Sequence, residues 1–441
     1  MSLRRVLTTT DAAWLVAGNM IGAGIFFMPG AVAGQLPGMV FPLLAWIAGG
    51  VLALAGAAIY AELGARLPHA GGDYQYLTRA FGPLWGFLTG WAAFVLSFSA
   101  AAAAMSKVAV GYFAGAVPGL DADGELLSRT LGPALLLILT VLNVAGAKVG
   151  GRTTTVLTAI PLVSLIALFV YGLLAGNAEF DWPSQPLATP EGVWFLAFGA
   201  AMVPVFFTYS GWNAAAYLAG ELERPEKTLP RALLFGTAAV TALYLIVNVA
   251  LFGLLGDGLA SSATPGADAA SRLLSVGAER LLGLIIGFAI LGSANVTLMA
   301  GARIYYAMAG DGLAPRTLHR TNRQGVPSTA LWVGGVWAAV LAAVAPVDAL
   351  YRWATLAILL LSSLTVVALF VLRRRDPDFR AFLCPGYPVT PWVYLLVSLA
   401  VAVSSAFYDP RGSLWGVLLV AAGFVVYAVW KRMTASGSPA A

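Results

Sequence analysis

The chain has 441 residues, of which 60% are hydrophobic and only 10% charged, with a formal net charge of +5. A soluble domain carries about 25% charged residues, so the composition excludes an ordinary soluble protein and points to a bilayer as solvent. The basic residues are scattered over loops, which excludes a nucleic-acid-binding module, and the single cysteine, Cys384, excludes an internal disulfide framework.

Apolar segments of about 20 residues recur along the chain, each long enough to cross ~30 Å of hydrocarbon. They predict an all-α integral membrane protein, a single transmembrane domain over residues 1–441. Twelve spans are predicted, near 9–34, 38–66, 83–113, 131–147, 152–175, 191–221, 231–256, 278–308, 328–345, 347–372, 388–407 and 412–431. No signal peptide is expected, because the first apolar segment is long and lacks a small-residue cleavage site.

Span 1 contains "GNMIGAGIFFMPG" (18–30), four glycines and a proline inside an apolar run. Glycine costs a helix about 1 kcal/mol relative to alanine and proline roughly 3. A gap in a membrane helix leaves backbone N–H and C=O groups that lipid cannot satisfy. Gly22 lies eleven residues past Asp11, about 17 Å along a helix, close to the midplane. An unwound Gly22-Ala23-Gly24 is therefore expected to bind a polar ligand through its backbone. The N–H groups opening the second half-helix favour an anion, and the carbonyls ending the first half favour a cation. A zwitterion offers both charges.

Beyond span 2, "DYQYLTRAF" (73–81) has the pattern of a short amphipathic helix, expected at the cytoplasmic surface. Lys107 is the one formal charge well inside a span. An intramembrane lysine is a functional candidate, but this one lies near the outer part of span 3, and its stem is expected to snorkel. Span 6 carries the second break, where Thr208, Ser210, Gly211 and Asn213 interrupt an apolar run. Gly211 lies ten residues before Glu221, about 15 Å, and also reaches the midplane. Spans 1–5 and 6–10 make two five-span blocks of opposite orientation, a 5+5 inverted repeat over 9–175 and 191–372, followed by helices 11–12 over 388–431. Interrupted helices in matching positions of such repeats point to a transporter binding site.

The segment 257–274 is the longest outer loop and is expected to cover part of an outer vestibule. Ser293, Asn295 and Thr297 in span 8 are candidates for an ion site near span 1, or for hydrogen bonds across helices. Glu62 and Glu221 sit at span ends near arginines, where ion pairs are expected. "RRRDPDFR" (373–380) is a basic loop suited to anionic lipid heads. With a cytoplasmic N-terminus, Arg129, Arg272, Arg280, Arg352 and Arg411 fall outside, Lys107 within a span, and the other nineteen of the 25 lysines and arginines inside. The positive-inside rule then predicts a multi-pass cell-membrane protein with both termini cytoplasmic.

Three stretches, "IGAGIFFMPG" (21–30), "YAELGARLPHAGGDYQYL" (60–77) and "FTYSGWNAAAYLAGELERPEKTLP" (207–230), resemble the amino acid–polyamine–organocation superfamily, nearest its L-type amino acid transporter branch. The resemblance covers spans 1–10. It implies a LeuT-like fold working by alternating access, with an amino acid held at the unwound parts of spans 1 and 6. Gly22, Ala23, Gly24 and Ile25 match the carboxylate-binding stretch, and Ile21, Phe207, Thr208 and Ser210 the amine-binding carbonyls. Phe207 matches the aromatic that closes over substrate from outside, and Trp212 and Asn213 match residues beside the break at Gly211. Two departures stand out. The family commonly has Ser where Ala23 stands, and the branch usually carries a lysine in span 5 where this chain has Pro161. In relatives that lysine lies where sodium-coupled transporters of this fold hold sodium, so Pro161, Ser293 and Lys107 are the coupling candidates. Animal members join a partner chain through a cysteine between spans 3 and 4. None is present there, and no disulfide-linked partner is expected.

No acidic residue lies deep in a span near the two breaks, so a cationic side chain would lack a counter-charge. The expected function is secondary transport of neutral amino acids, by exchange or proton-linked uptake, without cofactor or metal. Two alternatives remain, an amine or polyamine transporter and an amino-acid sensor of transporter fold. An intramembrane enzyme is not expected: HExxH and GxSxG are absent, and His69 and His319, the only histidines, lie in loops.

Overall fold

The first helix starts on a reciprocal cap. Thr8 Oγ1 accepts from the Asp11 backbone N–H, and the Asp11 carboxylate accepts from the Thr8 N–H at 2.9 Å, which satisfies two of the helix's orphan donors. The structure, a computed structural model, describes residues 5, 7–117, 119, 124–146, 163, 166, 167, 170–172, 194–273 and 276–435. In chain order the helices are α1 (Thr9–Met20), α2 (Ala23–Ala33), α3 (Val40–Arg66), α4 (Asp73–Phe81), α5 (Pro83–Ala92), α6 (Phe98–Ala116) and α7 (Gly124–Ala145). There follow α8 (Trp194–Tyr209), α9 (Ala214–Tyr217), α10 (Pro225–Leu255), α11 (Pro265–Leu273), α12 (Val276–Gly310), α13 (Ser328–Val344), α14 (Val347–Arg375), α15 (Val389–Tyr408) and α16 (Pro410–Ala435). A π-helical segment, Ala93–Ser97, joins α5 to α6.

These helices occupy predicted spans 1–4 and 6–12, in whole or in part. Span 5, with Pro161, lies almost wholly outside the described residues. Among the described residues eight helices are long and apolar enough to cross a membrane, and nine if the bent pair α1–α2 counts as one span. Among the described residues the only β pairing is an isolated bridge between Leu7 and Leu222. The outer faces are apolar: on α16 Leu414, Trp415, Leu418 and Val425 are all exposed, a surface that suits lipid and not water.

Small residues let the inner helices approach closely, as membrane packing requires. Gly49 of α3 lies against Val205 and Tyr209 of α8, and Gly56 against Trp212. The run Ala100–Ala104 on α6 is buried throughout. The helix of span 4 begins earlier than predicted, at Gly124, and Glu125 pairs with Arg129 along its first turns. Lys107 does not snorkel. It is 4% exposed, and its Nζ donates to the carbonyl of Ala345, the residue that ends α13, at 2.9 Å. A helix C-terminus is the negative end of a dipole, so it offered this ammonium a nearer partner than the interface.

The basic end of the molecule is tied by ion pairs, as the positions of Glu62 and Glu221 imply. Glu62, with its side chain fully buried, pairs with Arg66 at 2.8 Å and with Arg373 of α14, and accepts the Cys384 backbone N–H at 2.7 Å. Arg373 also lies over the Tyr387 ring. Glu221 pairs with Arg303 of α12 at 3.4 Å. Cys384, in the loop after α14, is buried, and burial pushes its pKa up to about 12. Maleimide labelling of the folded protein should therefore keep climbing roughly tenfold per pH unit from pH 7 to 10, whereas a free thiol near 8.5 levels off. A plateau near pH 9 would contradict this environment.

Candidate functional site

The two predicted breaks exist, and they meet. Span 1 is interrupted at Ile21 and Gly22, with a bend of 41° between its halves. Span 6 is interrupted from Ser210 to Asn213, where Gly211 takes φ +98°, a left-handed conformation that glycine alone adopts freely. Asn19 Nδ2 donates to the Gly211 carbonyl at 3.3 Å, and a Cβ on Gly211 would lie 2.6 Å from that nitrogen. A Cβ on Gly24 would lie 2.5 Å from the Thr208 backbone. The glycines are what lets the spans cross at this distance. Tyr244 of α10 pins the crossing: its hydroxyl contacts both the Met20 and Thr208 carbonyls.

Beside the crossing lies a cavity of about 50 Å³, room for a few waters. Asn19, Ser210, Gly211, Trp212 and Asn213 line it from the two breaks. Ser97, Phe98 and Met105 of span 3, Thr297 of α12 and Ser362 of α14 complete much of the wall. Ser97 ends the π-helical segment, and its buried hydroxyl has no hydrogen-bond partner among the described residues. Such π segments recur at functional sites, a signal that composition does not carry.

The cavity is also lined by Asp73, with Tyr60 and Tyr217. The expectation that no acidic residue lies deep in a span near the breaks considered only the spans, and it did not foresee Asp73, which arrives on α4, the stretch read as a surface amphipathic helix. The helix forms over the predicted residues, but its Asp73, Tyr74, Tyr76, Leu77 and Ala80 are buried. The Asp73 carboxylate accepts from the hydroxyls of Tyr60, Tyr217 and Thr365, the last at 2.8 Å. Burial without a paired cation raises its pKa, against the lowering by those three hydroxyls.

The predicted residues divide into groups. Ser210, Gly211, Trp212 and Asn213 line the cavity, and Asn213 donates to the Tyr217 hydroxyl at 3.0 Å. Ile21 and Gly22 form the span 1 break, with Ala23, Gly24 and Ile25 as the first turn of α2 behind it. No side chain caps that turn at Gly22, so its N–H groups have the arrangement that favours an anion. Phe207 and Thr208 still belong to α8. Their carbonyls accept from Ser210 and from Tyr244, and the Phe207 ring lies 5.8 Å from Tyr351. Ser293 and Thr297 bond across to Asn19, at 3.0 Å to its carbonyl and 3.2 Å to its side chain. Asn295 turns the other way and bonds Asn143 of α7. Among the described residues no group of three or more His, Cys, Asp or Glu is placed to hold a metal.

The sequence profile of the amino acid permease family matches residues 7–430, nearly the whole chain. The chain belongs to the amino acid permease family. This permease is 31% identical over 442 residues to the serine/threonine exchanger SteT of Bacillus subtilis (strain 168), covering 98% of each chain. It is 29% identical to the branched-chain amino acid permease BcaP of the same organism, over 98% of this chain and 94% of the relative. It is 27% identical to the mouse b(0,+)-type amino acid transporter 1, over 97% and 88% respectively. The permease is thus a membrane transporter of amino acids in the amino acid–polyamine–organocation superfamily, and its relatives are named as transporters, not enzymes.

Proposed function

We propose that the permease moves neutral amino acids of small to medium size across the cell membrane by alternating access, through exchange or proton-linked uptake. The observation that carries this is the meeting of the two broken spans beside one cavity. There the uncapped start of α2 suits a carboxylate, and the carbonyls that end α8 suit an ammonium. We also propose twelve spans in two inverted five-helix repeats with cytoplasmic termini. The matching positions of the two breaks and the basic-residue asymmetry support that topology. The polar wall, with Ser97, Ser362 and Thr297, favours side chains such as those of serine and threonine, in keeping with one relative's name. Asp73 adds a carboxylate, but three hydroxyls already engage it, so it offers a cationic side chain little.

In liposomes, serine, threonine, alanine or leucine inside should drive uptake of a labelled neutral amino acid. Lysine, arginine and decarboxylated analogues should compete at least tenfold less well. Equal competition by lysine would refute the neutral preference. Equal competition by a decarboxylated analogue would favour an amine transporter, and binding without counterflow would favour a sensor. Varying pH, sodium and internal amino acid separately identifies the coupling.

A further inference from the structure

The three hydroxyls on Asp73 come from three different spans. Tyr60 belongs to α3, Tyr217 to α9 and Thr365 to α14, while Asp73 itself belongs to α4. Tyr217 also accepts from Asn213, a residue of the span 6 break. An unbroken hydrogen-bonded path thus runs from the break, through Tyr217, to a carboxylate that holds spans 2 and 10 together. Asp73 is 4% exposed and lines the cavity. On the proposed topology its helix α4 follows the cytoplasmic end of span 2, the side where Leu7 also pairs with Leu222 and Glu221 with Arg303.

We propose that Asp73 is the positioning residue of an inner latch: it holds the cytoplasmic path closed, and opening requires its three hydroxyl bonds to part and water to reach it. This rests on the transport reading above. The titratable groups facing it are Tyr60 of α3, Tyr76 of α4, Tyr217 of α9 and Tyr394 of α15. Among the described residues no lysine, arginine or histidine pairs with it. The direction of any pH effect follows by linkage. Burial raises the carboxyl pKa in the closed arrangement, and hydration on opening returns it toward the ordinary value. Protonation therefore favours the closed latch, and rising pH favours opening.

The test is exchange by the full-length permease in liposomes, with pH varied on the cytoplasmic side and amino acid binding followed separately by thermal shift. Wild-type exchange should rise from pH 5 to 7. Asp73→Asn, neutral and isosteric, should bind within about threefold of wild type yet exchange at least tenfold more slowly, with a flat pH profile. Tyr217→Phe removes one latch bond without removing the carboxylate. It should raise cytoplasmic maleimide labelling of a cysteine placed at Ser362 severalfold while keeping the pH dependence. Exchange and pH profiles of Asp73→Asn identical to wild type would overturn the latch, as would unchanged labelling in Tyr217→Phe. Absence of exchange in the wild type would instead refute the transport reading.

Discussion

Glu62→Ala is expected to destabilise the permease by about 3–5 kcal/mol, seen as a fall of several degrees in its detergent melting temperature. The Glu62 side chain is fully buried between Arg66, 5% exposed, and Arg373, 17% exposed. Its removal leaves Arg373 without its carboxylate, Arg66 with Asp376 alone and the Cys384 N–H without its acceptor, and an uncompensated buried charge costs more than a lost surface contact. Glu125→Ala is the control. That glutamate also faces an arginine four residues on, but both side chains are about half exposed or more, and such pairs contribute about 0–1 kcal/mol. Equal melting of the two variants would show that the Glu62 pair is solvated and that α3 and α14 are not joined through it.

Gly24→Val is expected to reduce exchange by on the order of a hundredfold, the scale of a 1 Å misplacement at a reacting site. Its Cβ would lie 2.5 Å from the Thr208 Cα, and backbone cannot swing aside as a side chain can. The spans would have to separate at their crossing. Gly211→Ala should fail by a second route. Its φ of +98° costs a side chain about 1–3 kcal/mol, and the new carbon would press on Asn19. Gly111 of α6 has open space around it, so Gly111→Ala should exchange as wild type does. Activity of Gly24→Val within threefold of wild type would mean that the crossing is not the transport site.

What could be read in advance follows from what local sequence encodes. The breaks were legible because glycines for which close packing was the alternative recur at midplane depth in two spans, joined in the second by serine and asparagine, where lipid cannot satisfy polar groups. Their meeting followed from span order and was found through Asn19 and Tyr244, neither of which the pattern singles out. Asp73 was missed for a definite reason. Periodicity identifies α4 as amphipathic but cannot tell water from a protein interior as the surroundings of its polar face, and tertiary packing supplied three hydroxyls there. Lys107 failed similarly, since the end of a helix more than 200 residues away in sequence offered it a carbonyl. Ser293 and Thr297 bond to Asn19 of span 1, but Asn295, two residues from each and so on the opposite side of the helix, faces α7 instead.

A phenol has one proton to give, yet Tyr244 touches carbonyls on both interrupted helices. It can therefore satisfy only one of them fully at a time, and the contact to Thr208, at 3.2 Å, is the weaker arm. On the proposed binding mode, an arriving ammonium would take over the Thr208 oxygen while the phenol commits its proton to Met20. That exchange of partners would leave neither acceptor bare, and cargo would dock and depart without the desolvation cost that a gap in either helix otherwise imposes.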